Sequence, residues 1–180
     1  MIETERLILR EMRADDAQAL FDIFSDPITM RYFGVVFDRQ RMDKWVKDNL
    51  EHEKQHGFSL LSVVLKDSGE VVGDCGLETD KIDGKLMVGL GFDFKRAYWG
   101  NGYATEAARA VLEYGFTKLE LARISGWVDP KNAPSRRVAE RIGMKMEKFV
   151  MRGSKTYALY GIERKNWDQA NSKRNGRQLS

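Results

Sequence analysis

The sequence has one cysteine, Cys75, among 180 residues, so no internal disulfide can close. That economy fits a reducing compartment. Cys75 lies in a segment of strand character with no histidine near it in sequence. A small buried hydrophobe is therefore favoured over a nucleophile. Proline is scarce as well, and each of the three copies marks a boundary. Pro27 follows Asp26 and stops a helix, Pro130 sits in a loop, and Pro134 falls early in a helix. Long apolar runs are missing. The opening MIETERLILRE holds no apolar signal region, and no segment approaches membrane-spanning length. The cytoplasm is the expected location. An excess of one charge is missing too: 30 Lys and Arg against 27 Asp and Glu leave a net +3. Neither nucleic acid nor a membrane is an expected partner, although anionic ligands are compatible.

What is present suits one soluble domain, with 42% hydrophobic and 32% charged residues. Residues 6–12 read as a strand. Asp15 reads as a helix N-cap with Gln18 three positions on, and Ala17, Leu20, Phe21 and Phe24 follow at helical spacing. A second helix is predicted from near Asp38 to His56, ended by Gly57, with Met42, Trp45, Val46 and Leu50 on one face. The period then changes. Residues 58–66 and 71–78 read as an antiparallel hairpin, and 86–94 follows after the turn at 82–85. Gly89 and Gly91 within 86–94 predict a bulge or a close backbone approach. A helix is predicted over 104–119, with Ala104, Ala107, Ala108, Val111, Leu112, Phe116 and Leu119 on one face. Strand 122–128, a helix capped by Asn132 with Val138, Ala139 and Ile142 inward, and strands near 145–151 and 156–163 complete the order. The class is mixed α/β, of the α+β kind, with a mostly antiparallel sheet. One domain is expected over 1–168, and the polar, aperiodic stretch 169–180 predicts a disordered tail.

The stretch WGNGYATEA, residues 99–107, carries the first chemical signal. A helix N-terminus offers unpaired N–H donors and the positive end of its dipole. Gly100, Gly102 and Ala104 leave room for a pyrophosphate beside those donors. No Gly-Lys-Ser/Thr triplet follows, so a nucleotide-hydrolysing loop is poorly supported. A plain turn before a helix remains the alternative. A second helix start, NAPSRR at 132–137, lies just after the next strand. Asn132, Ser135, Arg136 and Arg137 there are either anion ligands or a cap and a solvated face.

Four segments in order resemble the GCN5-related N-acetyltransferases, in particular the ribosomal-protein N-terminal acetyltransferases and their small-amine-modifying relatives. They are ETERLILREMRADDAQALFDIFSDPITMRYFG, EVVGDCGL, YWGNGYATEAARAVLEYGF and NAPSRRVAERIGM. The resemblance implies a sheet in which parallel strands 86–94 and 122–128 splay, with acetyl-CoA between them. It implies that the backbone of Phe92, Asp93 and Phe94 meets the pantetheine. Trp99, Gly100, Asn101, Gly102, Tyr103, Ala104 and Thr105 would hold the pyrophosphate, and Asn132, Ser135 and Arg137 would meet the rest of the cofactor. The reaction implied is direct acetyl transfer to a primary amine, either a protein N-terminus or a small molecule. No metal is implied, and homodimers occur in the subgroup.

The chemistry needs a base for the amine, an oxyanion donor and an acid for the thiolate. The tyrosine often used as the acid falls at Ala139, which leaves Ser135 as the candidate. The glutamate often used as the base falls at Gly89, which leaves Asp93, Glu78 and Glu106. Gly91 and Phe92 are expected to supply the oxyanion N–H. Tyr32, Phe33, Trp45, Tyr157 and Tyr160 are the aromatic candidates for the acceptor's walls. The missing Glu and Tyr also motivate a second reading, a catalytically inactive CoA-binding sensor or interaction domain of the same fold.

Overall fold

A computed structural model describes residues 1–177, with side chains described to residue 172. Eight strands form one sheet: β1 (Ile2–Glu3), β2 (Leu7–Arg10), β3 (Leu60–Leu65), β4 (Val71–Ile82), β5 (Lys85–Phe94), β6 (Arg123–Val128), β7 (Lys145–Arg152) and β8 (Lys155–Glu163), in the order β1-β2-β3-β4-β5-β6-β8-β7. Five helices accompany it: α1 (Ala17–Phe24), α2 (Arg39–His56), α3 (Tyr103–Thr117), α4 (Ala133–Arg141) and α5 (Arg164–Arg177). The mixed α/β class and the mostly antiparallel pairing agree with the sequence reading. β5 meets β6 in parallel, with Gly89 opposite Ser125. Contacts divide the chain into two compact units, Met1–Glu78 with Leu90–Val111, and Thr79–Gly89 with the residues from Leu112 onward.

In the first unit, the apolar stripes of α1 and α2 bury Leu20, Ile23, Phe24, Met42 and Val46 with Met12, Met30 and Leu60. Trp45 packs on Phe24 at 4.8 Å between ring centroids and lies partly buried against this cluster. Helix α2 starts and stops where its sequence signals lie: the Asp38 carboxylate accepts from the Arg41 N–H, and Gly57 ends the helix in a left-handed conformation.

The first helix is capped differently from the expectation. A 3-10 turn over Ala14–Asp16 precedes α1, and Asp16, not Asp15, is the carboxylate that turns inward. It accepts from the Arg13 N–H at 2.9 Å, from both Arg10 Nη atoms at 2.7 Å and from Ser62 Oγ at 2.7 Å. Asp15 is exposed. Burial pushes the Asp16 carboxyl upward, but the bonds from Arg10, Ser62 and Arg13 outweigh it, and the net shift is downward. Its stabilising share is therefore complete above the ordinary aspartate value of about 4. It is lost as pH falls through the lowered folded value. Asp16→Ala leaves a guanidinium and a buried hydroxyl unpaired, and should cost about 3–5 kcal/mol in urea unfolding at neutral pH. A loss under about 1 kcal/mol would mean that the pair contributes little.

In the second unit, β6, β8 and β7 run antiparallel. Ile82, Val150 and Leu159 form a small cluster with Met87, Trp127 and Tyr157 against it. Arg123 joins Glu163 and Glu147 at 2.6 and 2.7 Å. The expected irregular tail is corrected over 169–177, where the chain continues helix α5. Trp167 anchors the helix, buried at 5% exposure and 5.8 Å from Phe116 by ring centroid. A helix whose first turn is fixed by packing propagates at small cost, even through polar residues. Residues 178–180 lie outside the described residues. Among the described residues, no helix is long and apolar enough to cross a membrane.

Candidate active site

The glycine loop lies in the first unit, between β5 and α3. After Phe94 a 3-10 turn over Arg96–Tyr98 leads to Trp99. The Trp99 indole N–H donates to the Phe94 carbonyl at 2.7 Å, and Asn101 Nδ2 donates to the Tyr98 carbonyl at 3.1 Å. Tyr98 and Lys95 both bond the Glu70 carboxylate. Gly100 and Gly102 have φ of +83° and +84°, values that L side chains adopt only with strain. Around a Cβ built at Gly100 there is open space within 4 Å, and at Gly102 the nearest atom is Arg6 Nη2 at 3.5 Å. The loop is thus shaped by backbone conformation, with space above it. The first N–H groups of α3 have no acceptor within the helix by helix geometry.

Arg6, which the motif reading left without a role, holds this loop. Its Nη1 donates to the Asn101 carbonyl at 3.0 Å, its guanidinium lies 4.5 Å from the Tyr103 ring centroid, and its Nε donates to Glu106 at 2.7 Å. Glu106 also accepts from Thr4 Oγ1 at 2.6 Å and from the Arg6 N–H at 2.9 Å. Burial pushes the Glu106 carboxyl upward, but the bonds from Thr4 and Arg6 prevail and lower it. A carboxylate so occupied is a poor proton acceptor, so Glu106 is a loop clamp and not a base. The sequence signal was there, as an acidic residue in the first turn of α3, but its partners lie about 100 positions away.

Three carboxyl groups gather on β4 and β5 in the same unit: Asp74, Glu78 and Asp93. Asp93 is half-buried. Burial first, and the Glu78 charge second, push its carboxyl up to about 8. Asp74 is fully buried, and neither of its oxygens has a hydrogen-bond partner among the described residues. Burial, then the charges of Asp93 and Glu78, raise it well above the ordinary value. Glu78 Oε1 lies 3.8 Å from the Cβ position of Gly91. Asp74 escaped the motif reading, though an acid inside VVGDCGL was itself a signal. Cys75 is fully buried beside it, and desolvation raises its thiol well above the ordinary range, as fits a packing role.

The second unit carries the other candidates. Asn132 Oδ1 accepts from the Ser135 N–H at 3.2 Å, so Asn132 caps α4, and Ser135 stands half-buried in its first turn. Arg137 is exposed. Arg136 is used internally, with Nε to the Tyr160 hydroxyl at 3.2 Å and Nη1 to the Pro130 carbonyl at 3.3 Å. Tyr160 is fully buried and also bonds Glu140, so it belongs to the core and not to an acceptor wall. Tyr157 stands between Arg152 and Lys155, whose cationic groups lie 5.6 and 5.2 Å from its ring. In the first unit, Phe33 is half exposed and meets Phe24 edge-on, and Arg31 lies over Tyr32.

Gly89, where the resemblance leads one to look for a glutamate, is closed to any side chain. A Cβ there would lie 2.2 Å from Cη2 of Trp127. The absence of the acid and the presence of the indole are one packing solution. Gly89→Ala should destabilise by about 1–3 kcal/mol, and Trp127→Leu in the same chain should recover much of that in a thermal double-mutant cycle. Strict additivity would mean that the two positions do not share this space. Among the described residues, no group of three His, Cys, Asp or Glu is placed to hold a metal ion.

Comparison with known proteins places this geometry. Residues 6–145 match the family described as the acetyltransferase (GNAT) domain. The protein YkkB of Bacillus subtilis (strain 168) is 39% identical over 166 residues, covering 92% of this chain and 95% of its own. The uncharacterized N-acetyltransferase p20 of Bacillus licheniformis is 34% identical, covering 80% and 82%. The crystal structure of a GNAT-family acetyltransferase from Bacillus anthracis superposes with a TM-score of 0.78 at 30% identity, covering 91% and 98%. More distant structures share the fold alone. They include a putative ribosomal-protein-serine acetyltransferase from Vibrio cholerae (22% identity, TM-score 0.72, covering 90% and 96%) and the aminoglycoside acetyltransferase AAC(6')-Ib with coenzyme A (17%, 0.74, covering 92% and 99%). With the family matched across most of its length and with relatives above 30% identity along nearly the whole chain, this protein belongs to the GNAT acetyltransferase family.

Proposed function

We propose that this protein transfers an acetyl group from acetyl-CoA to a primary amine, with the loop 99–105 as its pyrophosphate site and Asp93 as its proton acceptor. The observation that carries the reading is the loop itself: two left-handed glycines, with nothing within 4 Å of a Cβ at Gly100 and only Arg6 Nη2, at 3.5 Å, near one at Gly102, immediately before the N-terminus of α3 and clamped by Arg6. Bare N–H donors at a helix start suit phosphate oxygens, and Arg6, engaged by Glu106 and the Asn101 carbonyl, holds the loop that presents them. Trp99, Gly100, Asn101, Gly102, Tyr103, Ala104 and Thr105 are the residues assigned there. The backbone of Phe92, Asp93 and Phe94 is assigned to the pantetheine amides, and Asn132, Ser135 and Arg137 to the rest of the co-substrate. When bound, acetyl-CoA supplies the activated acetyl thioester.

The chain's own residues do the rest. The Asp93 carboxylate takes a proton from the ammonium of the acceptor, the N–H groups at Gly91 and Phe92 favour a developing oxyanion, and Ser135 is the donor assigned to the leaving sulfur. Tyr32, Phe33 and Tyr157 are the side chains assigned to the acceptor. The acceptor class is a protein N-terminal amine of the ribosomal-protein type or a small-molecule amine, in the cytoplasm. A homodimer is compatible with the reading. Incubation with acetyl-CoA and an amine panel should release free thiol and give acetylated amine. If calorimetry shows acetyl-CoA binding while peptide and small-amine libraries show no turnover, the inactive sensor replaces the enzyme. Comparison of N-terminal acetylation in cells with and without the protein separates the acceptor classes.

A further inference from the structure

The interior of the first unit contains a polar row that the proposed reaction does not yet use. Arg10 on β2 lies opposite Ser62 on β3, and Ser62 lies opposite Asp74 on β4. The row continues onto β5. The Lys95 N–H donates to the Val72 carbonyl at 2.9 Å, and a Cβ at Gly73 would meet the Phe94 ring at 2.9 Å, so Val72 faces Lys95 and Gly73 faces Phe94. The two-residue turn Asp83-Gly84, both residues at positive φ, sets Ile82 opposite Lys85 and gives the same register when counted along the strands. Asp74 is therefore directly opposite Asp93. Cross-strand partners on one face bring their Cβ atoms to about 4.5–5.5 Å.

We infer that Asp74 is a positioning residue for the proposed base: a neutral carboxylic acid that donates its proton to the Asp93 carboxylate, so that the two groups share one proton. The geometry leaves an ionised Asp74 without any donor. Ser62, its neighbour on β3, gives its hydroxyl proton to Asp16 at 2.7 Å, and Arg10 is bound to Asp16 as well. The remaining charged groups on this face are Glu78 and Asp93, both acids. From α2 the polar groups on the inward face are Asn49, whose amide is occupied by the Leu60 backbone, and Glu53 one turn on, another acid, with one oxygen buried. An ionised carboxylate buried without a donor costs several kcal/mol, whereas the acid form needs only one acceptor. Asp93, across the strand pair, is that acceptor. Two close carboxyl groups holding one proton titrate as a unit.

The role follows from the proton's path. Above the Asp93 value of about 8, Asp74 holds the shared proton and Asp93 is ionised, which is the form that acts. When the ammonium gives up a proton, the N–H bond breaks, Asp93 gains O–H, and the amine keeps the electron pair for attack. Asp74 stays neutral throughout and steadies the ionised form of Asp93. Without that donor, Asp93 would be protonated over more of the neutral range, and fewer molecules would hold the base form.

The inference rests on the proposed acetyl transfer for its kinetic arm, but it also has an arm that needs no turnover. Infrared spectra of the full chain taken above the Asp93 value of about 8, where Asp93 is ionised, should show a buried carboxylic-acid C=O stretch that disappears in Asp74→Asn. A band unchanged in that variant overturns the inference. Labelled-carboxyl NMR should then show the Asp93 titration moved upward by at least a factor of 10 in proton concentration in Asp74→Ala. It should return to within about a factor of 3 of wild type in Asp74→Asn, whose amide can still donate. The rising limb of kcat/KM against pH should move in the same way. An Asp93 titration that stays in place in both variants overturns the pairing, even if Asp74 is neutral. If Asp74→Ala does not fold, Asp74→Leu fills the site without a donor and reads the same shift. Wild type that titrates as described but never acetylates an amine would sink the functional reading and leave the pairing standing.

Discussion

Gly102→Val is expected to raise the dissociation constant for acetyl-CoA tenfold or more while leaving the fold in place. The residue has φ +84° in the structure. Valine is β-branched and pays more than most residues for a left-handed backbone, where strain is about 1–3 kcal/mol per position. A Cβ at this position meets only Arg6 Nη2, at an ordinary 3.5 Å. The substitution is thus not blocked by crowding within the unit. It must instead turn the peptide that aims the first N–H groups of α3, and its methyl groups would stand in the open space above the loop. A tenfold loss corresponds to about 1.4 kcal/mol, well within that strain. Gly57→Val is the matched control, since Gly57 is also left-handed, at φ +75°, with nothing within 4 Å, but ends α2. Both variants should lower the melting temperature. Only Gly102→Val should weaken binding in calorimetry. If both leave the affinity as it was, the loop is merely a turn.

The contrast between these two glycines shows what was legible before the coordinates. Gly57 could be read as a stop because a helical period ended there and a strand period began. The loop glycines could be read as small, but not as left-handed, and not as held by Arg6. Local signals fixed α2, the β3–β4 hairpin, the Asn132 cap and the helix after the loop, because each depends on residues within a few positions. What was missed depends on pairings across the chain. Asp16 displaced Asp15 as the inward carboxylate because Arg10 and Ser62 lie on the neighbouring strands. Glu106 passed as a candidate base until Thr4 and Arg6 were seen to fill its acceptor sites. Tyr160 had the chemistry of a pocket wall, but β8 turns it inward. The polar stretch from Gln169 had no period at all, yet Trp167 starts a helix that runs through it. Gly89 was legible as a close approach, and Trp127 is what approaches.

Asp93→Asn is expected to lower kcat/KM by about 10²–10⁴ with little change in acetyl-CoA affinity, since the groups assigned to the co-substrate at this position are backbone atoms. The pH dependence gives the decisive sign. Burial and the neighbouring Glu78 charge push the Asp93 carboxyl up to about 8. The ionised form is the one that accepts a proton, so kcat/KM should rise with pH and level off above about 8. An amine acceptor also loses its proton in this range, since an α-amino group titrates near 7.7–8.0. A series of acceptors of different basicity separates the two: the limb that belongs to the amine moves along the series, and the limb that belongs to Asp93 stays. In Asp93→Asn the fixed limb should vanish and the moving limb remain. Stability gives an independent reading. The folded chain holds this proton more tightly than the unfolded chain does. The resulting stabilisation is complete below about 4, the unfolded aspartate value, and is lost as pH rises through the folded value. Wild type should therefore lose stability relative to Asp93→Asn as pH rises between those limits. A variant that keeps the fixed limb, or shows the same stability profile as wild type, would place the base on another group, and Glu78 would be the first to replace in turn.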